Sequence, residues 1–395
     1  MRVTNTSTYR NYTSSINSVH ANLNKSMNKI SSGRQFETAA ESPLSYYRGK
    51  EIDNQYLEAL GKVTLLTDVK SRLEQQEKGA YDIQQLLSKA KNEVVLKART
   101  ATSDVTARDT LQSDLIQKAQ SMVNDLRTQY QDYYVFGGND SSTPPFSLDT
   151  SDPAKISLTF SHKFPGESTA TDFKMTLGKD PADPNRYLFQ LDDPTQTEKL
   201  VQAMAEQGYM DLGYGDIRSR DTLLDTYTGG MNLLTGLNSD MVKSRYYDAS
   251  GNLVTNLTDP LTPGYATPEA EIMKQLTDGP LGTVAQAITA LEEYFDSGDP
   301  DALDDQLERL ITDMTEAEHV VSTVYSDLGN KYNALDNTED RLNTLTDSLK
   351  VQYKDIVGAD PYESIYEMFN YQYAFNAALQ VGSNLMQSSL FDFVR

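Results

Sequence analysis

The chain has 395 residues, with 57 Asp and Glu against 35 Lys and Arg, and its formal net charge of −22 argues against a basic face for nucleic-acid phosphates. Cysteine and tryptophan are absent, which removes disulfide frameworks, thiolate nucleophiles and cysteine metal sites. The opening MRVTNTSTYRNYTSSIN lacks the apolar core of a Sec signal peptide, and no run approaches the ~18 apolar residues of a membrane span, so no membrane insertion is expected.

Charge is unevenly spread. Residues 1–36 carry Arg2, Arg10, Lys25, Lys29 and Arg34 and no acid, whereas residues 281–305 carry seven acids and no Lys or Arg. From about residue 8 to 31, Tyr9, Tyr12, Ile16, Val19, Leu23, Met27 and Ile30 step by three or four, which predicts one amphipathic helix. Its remaining residues are mostly Asn, Ser, Thr and Lys, so its intrinsic helix propensity is low and it should be largely unfolded alone. Gly33 is placed to end it.

Ser42-Pro43 reads as a cap followed by a first-turn proline. A helix predicted from there to about Lys97 would span about 80 Å at 1.5 Å per residue. Ile52, Ala59, Leu66, Leu73, Ala80, Leu87 and Val94 recur at seven-residue intervals, and a mixed companion seam is read at Tyr56, Val63, Lys70, Glu77, Gln84 and Lys91. A third helix is predicted over about 104–134, followed by a strand entering a turn at Tyr134-Val135-Phe136-Gly137.

The middle of the chain is rich in Gly, Pro, Asp and Thr. Its runs KISLTF (155–160), DFKMTL (172–177) and RYLFQL (186–191) read as strands. Helical patterning resumes after about 268. Leu307, Met314, Val321, Leu328, Leu335, Leu342, Leu349 and Ile356 hold one heptad seam, and Leu303, Leu310, Ala317, Val324 and Leu345 lie on the other. Gly358 should end that helix, and Asp360-Pro361 should start a last one, with Phe375, Leu379, Met386, Leu390 and Phe393 as its stripe.

The expected fold is therefore mainly α: an elongated coiled-coil bundle built from both chain ends, with a β-rich insertion in the middle. The expected domains are 1–43 plus 358–395, terminal helices disordered in the monomer; 44–139 plus 268–357, a coiled-coil rod; and 140–267, a variable insertion. Each terminal helix has a single stripe and buries too little to stand alone. A pair that orders on assembly is expected; Ile16, Val19, Leu23, Met27, Ile30, Phe375, Leu379, Met386, Leu390 and Phe393 are its stripes, and the family resemblance given below implies that they form the assembly interface.

No catalytic constellation emerges. His20, His162 and His319 are scattered, and neither HExxH, a P-loop nor GxSxG occurs. Asp296, Asp299, Asp301, Asp304 and Asp305 lack EF-hand spacing and read as a turn with acids at a helix N-terminus. No enzyme activity, cofactor or metal is expected.

The stretch LNKSMNKISSGRQFETAAESP (23–43) resembles the start of bacterial flagellins. The opening MRVTN, the segment VYSDLGNKYNALDN (324–337) and the closing ALQVGSNLMQSSLFDFVR (378–395) are more similar to the hook–filament junction branch of that family, hook-associated protein 3. Where flagellins commonly carry an Asp-Asp-Ala-Ala-Gly-like motif, this chain has Ala40-Glu41-Ser42-Pro43, nearer to the junction branch. The resemblance covers roughly the first 140 and last 110 residues. It implies a structural subunit of the extracellular flagellum, exported by the flagellum's own type III apparatus. It implies self-assembly into a ring and contact with an adjacent hook-associated junction protein and with flagellin. It also implies a cytosolic flagellar export chaperone that holds the C-terminal helix. Flagellin itself is the nearest alternative, and a secreted glycan-binding adhesin is a more distant one.

Overall fold

The computed structural model describes residues 5–100, 105–181, 183, 186–206, 208–211, 223–226, 229–297 and 300–393. The chain divides into two compact units, one of residues 1–63 and 340–395 and the other of residues 64–339. The division falls inside two long helices, α2 (Pro43–Lys89) and α10 (Pro300–Val357), rather than at their ends.

In the first unit, α1 (Asn5–Ser32) ends where Gly33, at φ +66°, takes the left-handed conformation and donates its N–H to the Lys29 carbonyl. Helix α11 (Pro361–Phe393) starts as the sequence predicts, with Asp360 Oδ1 accepting the Tyr362 and Glu363 N–H groups at 2.8 and 3.3 Å. The two connectors pair with each other. Gln35 N donates to Val357 O at 2.8 Å and Ala359 N to Gly33 O at 2.9 Å, around an antiparallel bridge of Arg34 with Gly358.

The second unit holds the main core. The buried line of α2 and of the segment that continues it runs Leu66, Val69, Leu73, Gln76, Ala80, Ile83, Leu87, Ala90 and Val94, alternating three and four residues. The heptad seam is the one read from sequence, but the companion seam is corrected. It lies three residues after each heptad position, at Val69, Gln76, Ile83 and Ala90. Lys70, Glu77 and Lys91 flank the seam as half-buried residues, and the two lysines meet acids of α10. Lys70 pairs with Asp336 and Glu339 at 2.5 and 2.7 Å, and Lys91 with Glu318 at 2.5 Å. Beyond Lys89 the helix passes through a π segment (Ala90–Val95) into α3 (Leu96–Thr100), and both Val94 and Val95 are buried there. Arg99 on α3 then meets Asp304 and Glu308 at 2.9 Å each. In α10 both predicted seams are buried from Leu303 to Leu328.

Helix α4 (Val105–Leu126) is shorter than the sequence reading of 104–134. A two-residue hairpin follows, β1 (Gln129–Tyr130) with β2 (Tyr133–Tyr134), so Tyr133 is in a strand rather than a helix. The middle carries an antiparallel sheet in the order β3 (Phe146–Asp149), β4 (Ser157–His162), β5 (Thr171–Lys179), β6 (Tyr187–Leu191). The last three are the predicted strands. Phe173, Met175 and Leu177 alternate inward on β5, and the Phe160 ring lies 5.3 Å from Phe146 and 5.8 Å from Phe173.

The same region also forms three short helices that strand patterning did not show: α5 (Thr197–Ala205), α6 (Gly230–Thr235) and α7 (Ser239–Tyr246), with a second hairpin, β7 (Gly208–Asp211) and β8 (Leu223–Thr226). Helix α8 (Pro268–Asp278) backs the sheet edge, where Thr277 Oγ1 accepts the Phe189 N–H at 2.9 Å. In α9 (Pro280–Ser297) every residue from Leu281 to Leu291 is buried, as expected for a helix of small and apolar residues on all sides. Its buried Thr283, Gln286 and Thr289 are satisfied by carbonyls of Gly279, Thr277 and Pro153.

Candidate assembly site

The first unit is where the candidate residues lie. Helices α1 and α11 run antiparallel. Tyr12 Oη donates to Ala378 O at 2.9 Å, the His20 ring sits 5.5 Å from Phe375, and Lys29 Nζ lies 3.0 Å from Glu367 Oε2. The closest approach uses small residues. Among the described residues of the pair, Ser26, Ser364 and Gly382 are the buried positions, and a Cβ on Gly382 would stand 1.9 Å from Tyr12 Oη.

The predicted interface residues are split by this packing. Ile16, Val19, Leu23 and Phe375 are half-buried between the two helices. Met27, Ile30 and Leu379 are exposed. Met386, Leu390 and Phe393 belong to α11, but their side chains lie outside the described residues. The sequence reading missed a second feature of the same helix: Tyr362, Tyr366, Phe369 and Tyr373 are all exposed. Their spacing of four, three and four was the available signal.

The unit has almost no core of its own. Among the described residues, its buried apolar side chains are Phe36, Ala59, Leu349 and Val357. Among the described residues, 22 large apolar side chains are exposed, and of these only Leu65, Tyr81, Leu96, Tyr133, Met241 and Leu261 belong to the second unit, although that unit is the larger. Such a surplus of exposed apolar surface marks an interaction surface. At the elbow after α1, the Glu37 N–H and the Lys25 ammonium, 3.2 Å away, hold the Glu41 carboxyl below the usual carboxylate range.

Other chemistry is sparse. Among the described residues, no group of three or more His, Cys, Asp or Glu could hold a metal ion, and no helix is long and apolar enough to cross a membrane. His20 and His319 are exposed, whereas His162 is buried in the second unit, and burial pushes its imidazole pKa down. Asp304 is taken up by Arg99, while the side chains of Asp296 and Asp301, and Asp299 altogether, lie outside the described residues.

A helical pair drawn from the two ends of the chain, with a sheet-bearing segment between them, places the protein in a mainly α class. The chain belongs to the bacterial flagellin family: residues 3–141 match its N-terminal helical region and residues 311–394 its C-terminal helical region. Similar solved structures include a putative flagellar hook-associated protein from Vibrio parahaemolyticus, with 10% identity, a TM-score of 0.48, and 80% of this chain and 100% of that one covered. FlgL of Xanthomonas campestris has 13% identity and a TM-score of 0.42, covering 78% of this chain and 98% of that one. The flagellar hook associated protein-3 of Legionella pneumophila has 14% identity and a TM-score of 0.40, covering 80% and 98%. No curated protein matches the chain by sequence.

Proposed function

We propose that this chain is the structural subunit that joins hook to filament in a bacterial flagellum, polymerising into a ring through α1 and α11. The observation that carries the assembly reading is the composition of the terminal unit, in which the described residues include four buried apolar side chains and many exposed ones. Membership of the flagellin family supports it. The junction position rests on the resemblance of Ala40-Glu41-Ser42-Pro43 and of residues 378–395 to the junction branch. In this reading the partners are further copies of the chain, an adjacent hook-associated protein and flagellin. A cytosolic chaperone covers the C-terminal helix before type III export, because its exposed stripe would otherwise promote premature association. The role is mechanical, and the protein is not an enzyme.

Immunogold labelling of whole flagella tests the position. The expected result is a single cluster of label at the filament base. Label along the whole filament would show the chain to be flagellin, the reading that the family match alone also permits.

A further inference from the structure

Of the three histidines only His162 is buried, and the assembly reading gives it no part. It is the last residue of β4 and is 1% exposed. Its ring lies 5.9 Å from that of Phe160, stacked, and 4.8 Å from that of Phe164, edge-on. Charged groups from three other segments face it. The end of α5 brings Glu206, whose Oε2 lies 3.5 Å from His162 Nε2. The segment after β2 brings Asp140, and the β4–β5 turn brings Glu167. Lys199 of α5 lies over the Phe164 ring at 5.6 Å and pairs with Glu167 at 3.0 Å, and Tyr247 feels the charge of Glu206.

These carboxylates are already engaged. Glu206 accepts from Asn139 Nδ2 at 3.0 Å and from Gln202 Nε2 at 3.2 Å. Asp140 accepts the Ser142 and Lys163 N–H groups at 3.0 and 2.9 Å, and Glu167 accepts from the Thr171 hydroxyl at 3.3 Å. His162 Nε2, by contrast, is buried with no hydrogen-bond partner among the described residues. Its 3.5 Å approach to Glu206 is longer than a sound N–H···O bond.

Such a site suits a neutral imidazole. Burial pushes the pKa down from 6.5, against the pull of Glu206, Asp140 and Glu167. A histidine whose folded pKa is lowered supports the fold fully above pH 6.5, and that support is lost as pH falls below it. Helix α5, with nine residues, is too short to persist without its packing.

We propose that the contact between β4 and the end of α5 is an acid-sensitive latch, closed while His162 is neutral and opened when its imidazole takes up a proton. Opening uncovers the apolar side of α5, where Leu200, Val201 and Met204 are buried while the latch is shut. The latch lies wholly within the second unit and does not depend on the assembly reading.

Hydrogen exchange of the full chain at pH 7.5 and 5.0, corrected for the intrinsic pH dependence of amide exchange, reads the latch directly. Peptides from β4 and α5 should open more at pH 5.0, by up to about 30-fold, the limit that an ordinary histidine pKa of 6.5 sets. His162→Phe keeps an aromatic ring in the row and removes the proton site, so these peptides should then open equally at both pH values. Exposed His319→Gln should behave as the unsubstituted chain does. An NMR titration needs no substitution: in the unsubstituted chain the His162 ring should titrate below 6.5. Titration above 6.5 would show an imidazolium that pairs with Glu206 and tightens the contact, overturning the proposal. So would acid opening of the same size in His162→Phe, or exchange in the unsubstituted chain that does not respond to pH.

Discussion

At Gly382 a missing Cβ sets the distance between two helices. Any larger side chain would displace the Tyr12 phenol and its hydrogen bond to Ala378 O, so the terminal pair is held by close backbone approach as much as by apolar contact. Asp125, on α4, shows the opposite economy in the second unit. Burial, and then the Asp82 carboxylate, push its pKa up to about 6 from 3.8, against the pull of Lys78. A carboxyl whose folded pKa is raised favours the fold fully below pH 3.8, and that stabilisation is lost as pH rises through about 6. Asp125→Asn should therefore stabilise the second unit by about 1 kcal/mol at pH 7.5, after allowance for solvent screening, and hardly at all at pH 4. Thermal melts of both chains at the two pH values check this; an equal gain at both would refute it.

At the scale of elements, the pairing of α2 and α3 with α10 is set by two codes that agree. The apolar line from Leu66 to Val94 meets the line from Leu303 to Leu335, and ion pairs flank it in step. From Lys70 to Arg99 is 29 residues, and from Asp336 back to Glu308 is 28, so the antiparallel register does not slip. Leu87→Ala, at a fully buried position, should cost about 2–5 kcal/mol in urea unfolding of the second unit, whereas exposed Leu44→Ala should stay within about 0.5 kcal/mol. Equal losses at the two sites would contradict this packing.

These helices were also the most legible part of the sequence. Heptad spacing survives any tertiary context, and Gly33, Pro43, Gly358 and Pro361 stand at helix ends for local steric reasons. The companion seam of α2 was misread because Lys70 and Lys91 occupy positions next to the apolar line, and their long stems cover it. Helices α5 to α7 are short and lie among turn-forming residues, where periodicity has too few steps to register. The aromatic line of α11 lay in plain view, but the stripe through Phe375 and Leu379 competed with it for the same helix, and only packing shows which face is occupied.

For the whole molecule, apolar surface is distributed by unit. Residues 64–339 bury theirs within the chain, while residues 1–63 and 340–395 leave most of it exposed. Under the proposed function, a unit built this way gains its burial from neighbours, and its free energy of folding is drawn from assembly. In the same proposed function, export and polymerisation place opposite demands on the same helices, which would be open while the chain travels and ordered once it is in place. Hydrogen exchange read peptide by peptide, on the free chain and on the assembled flagellar structure, tests this most directly. The account predicts that residues 5–32 and 361–384 exchange with almost no protection in the free chain, beside a well-protected 64–94, and become protected on assembly. Terminal helices as strongly protected in the monomer as the second unit would contradict it.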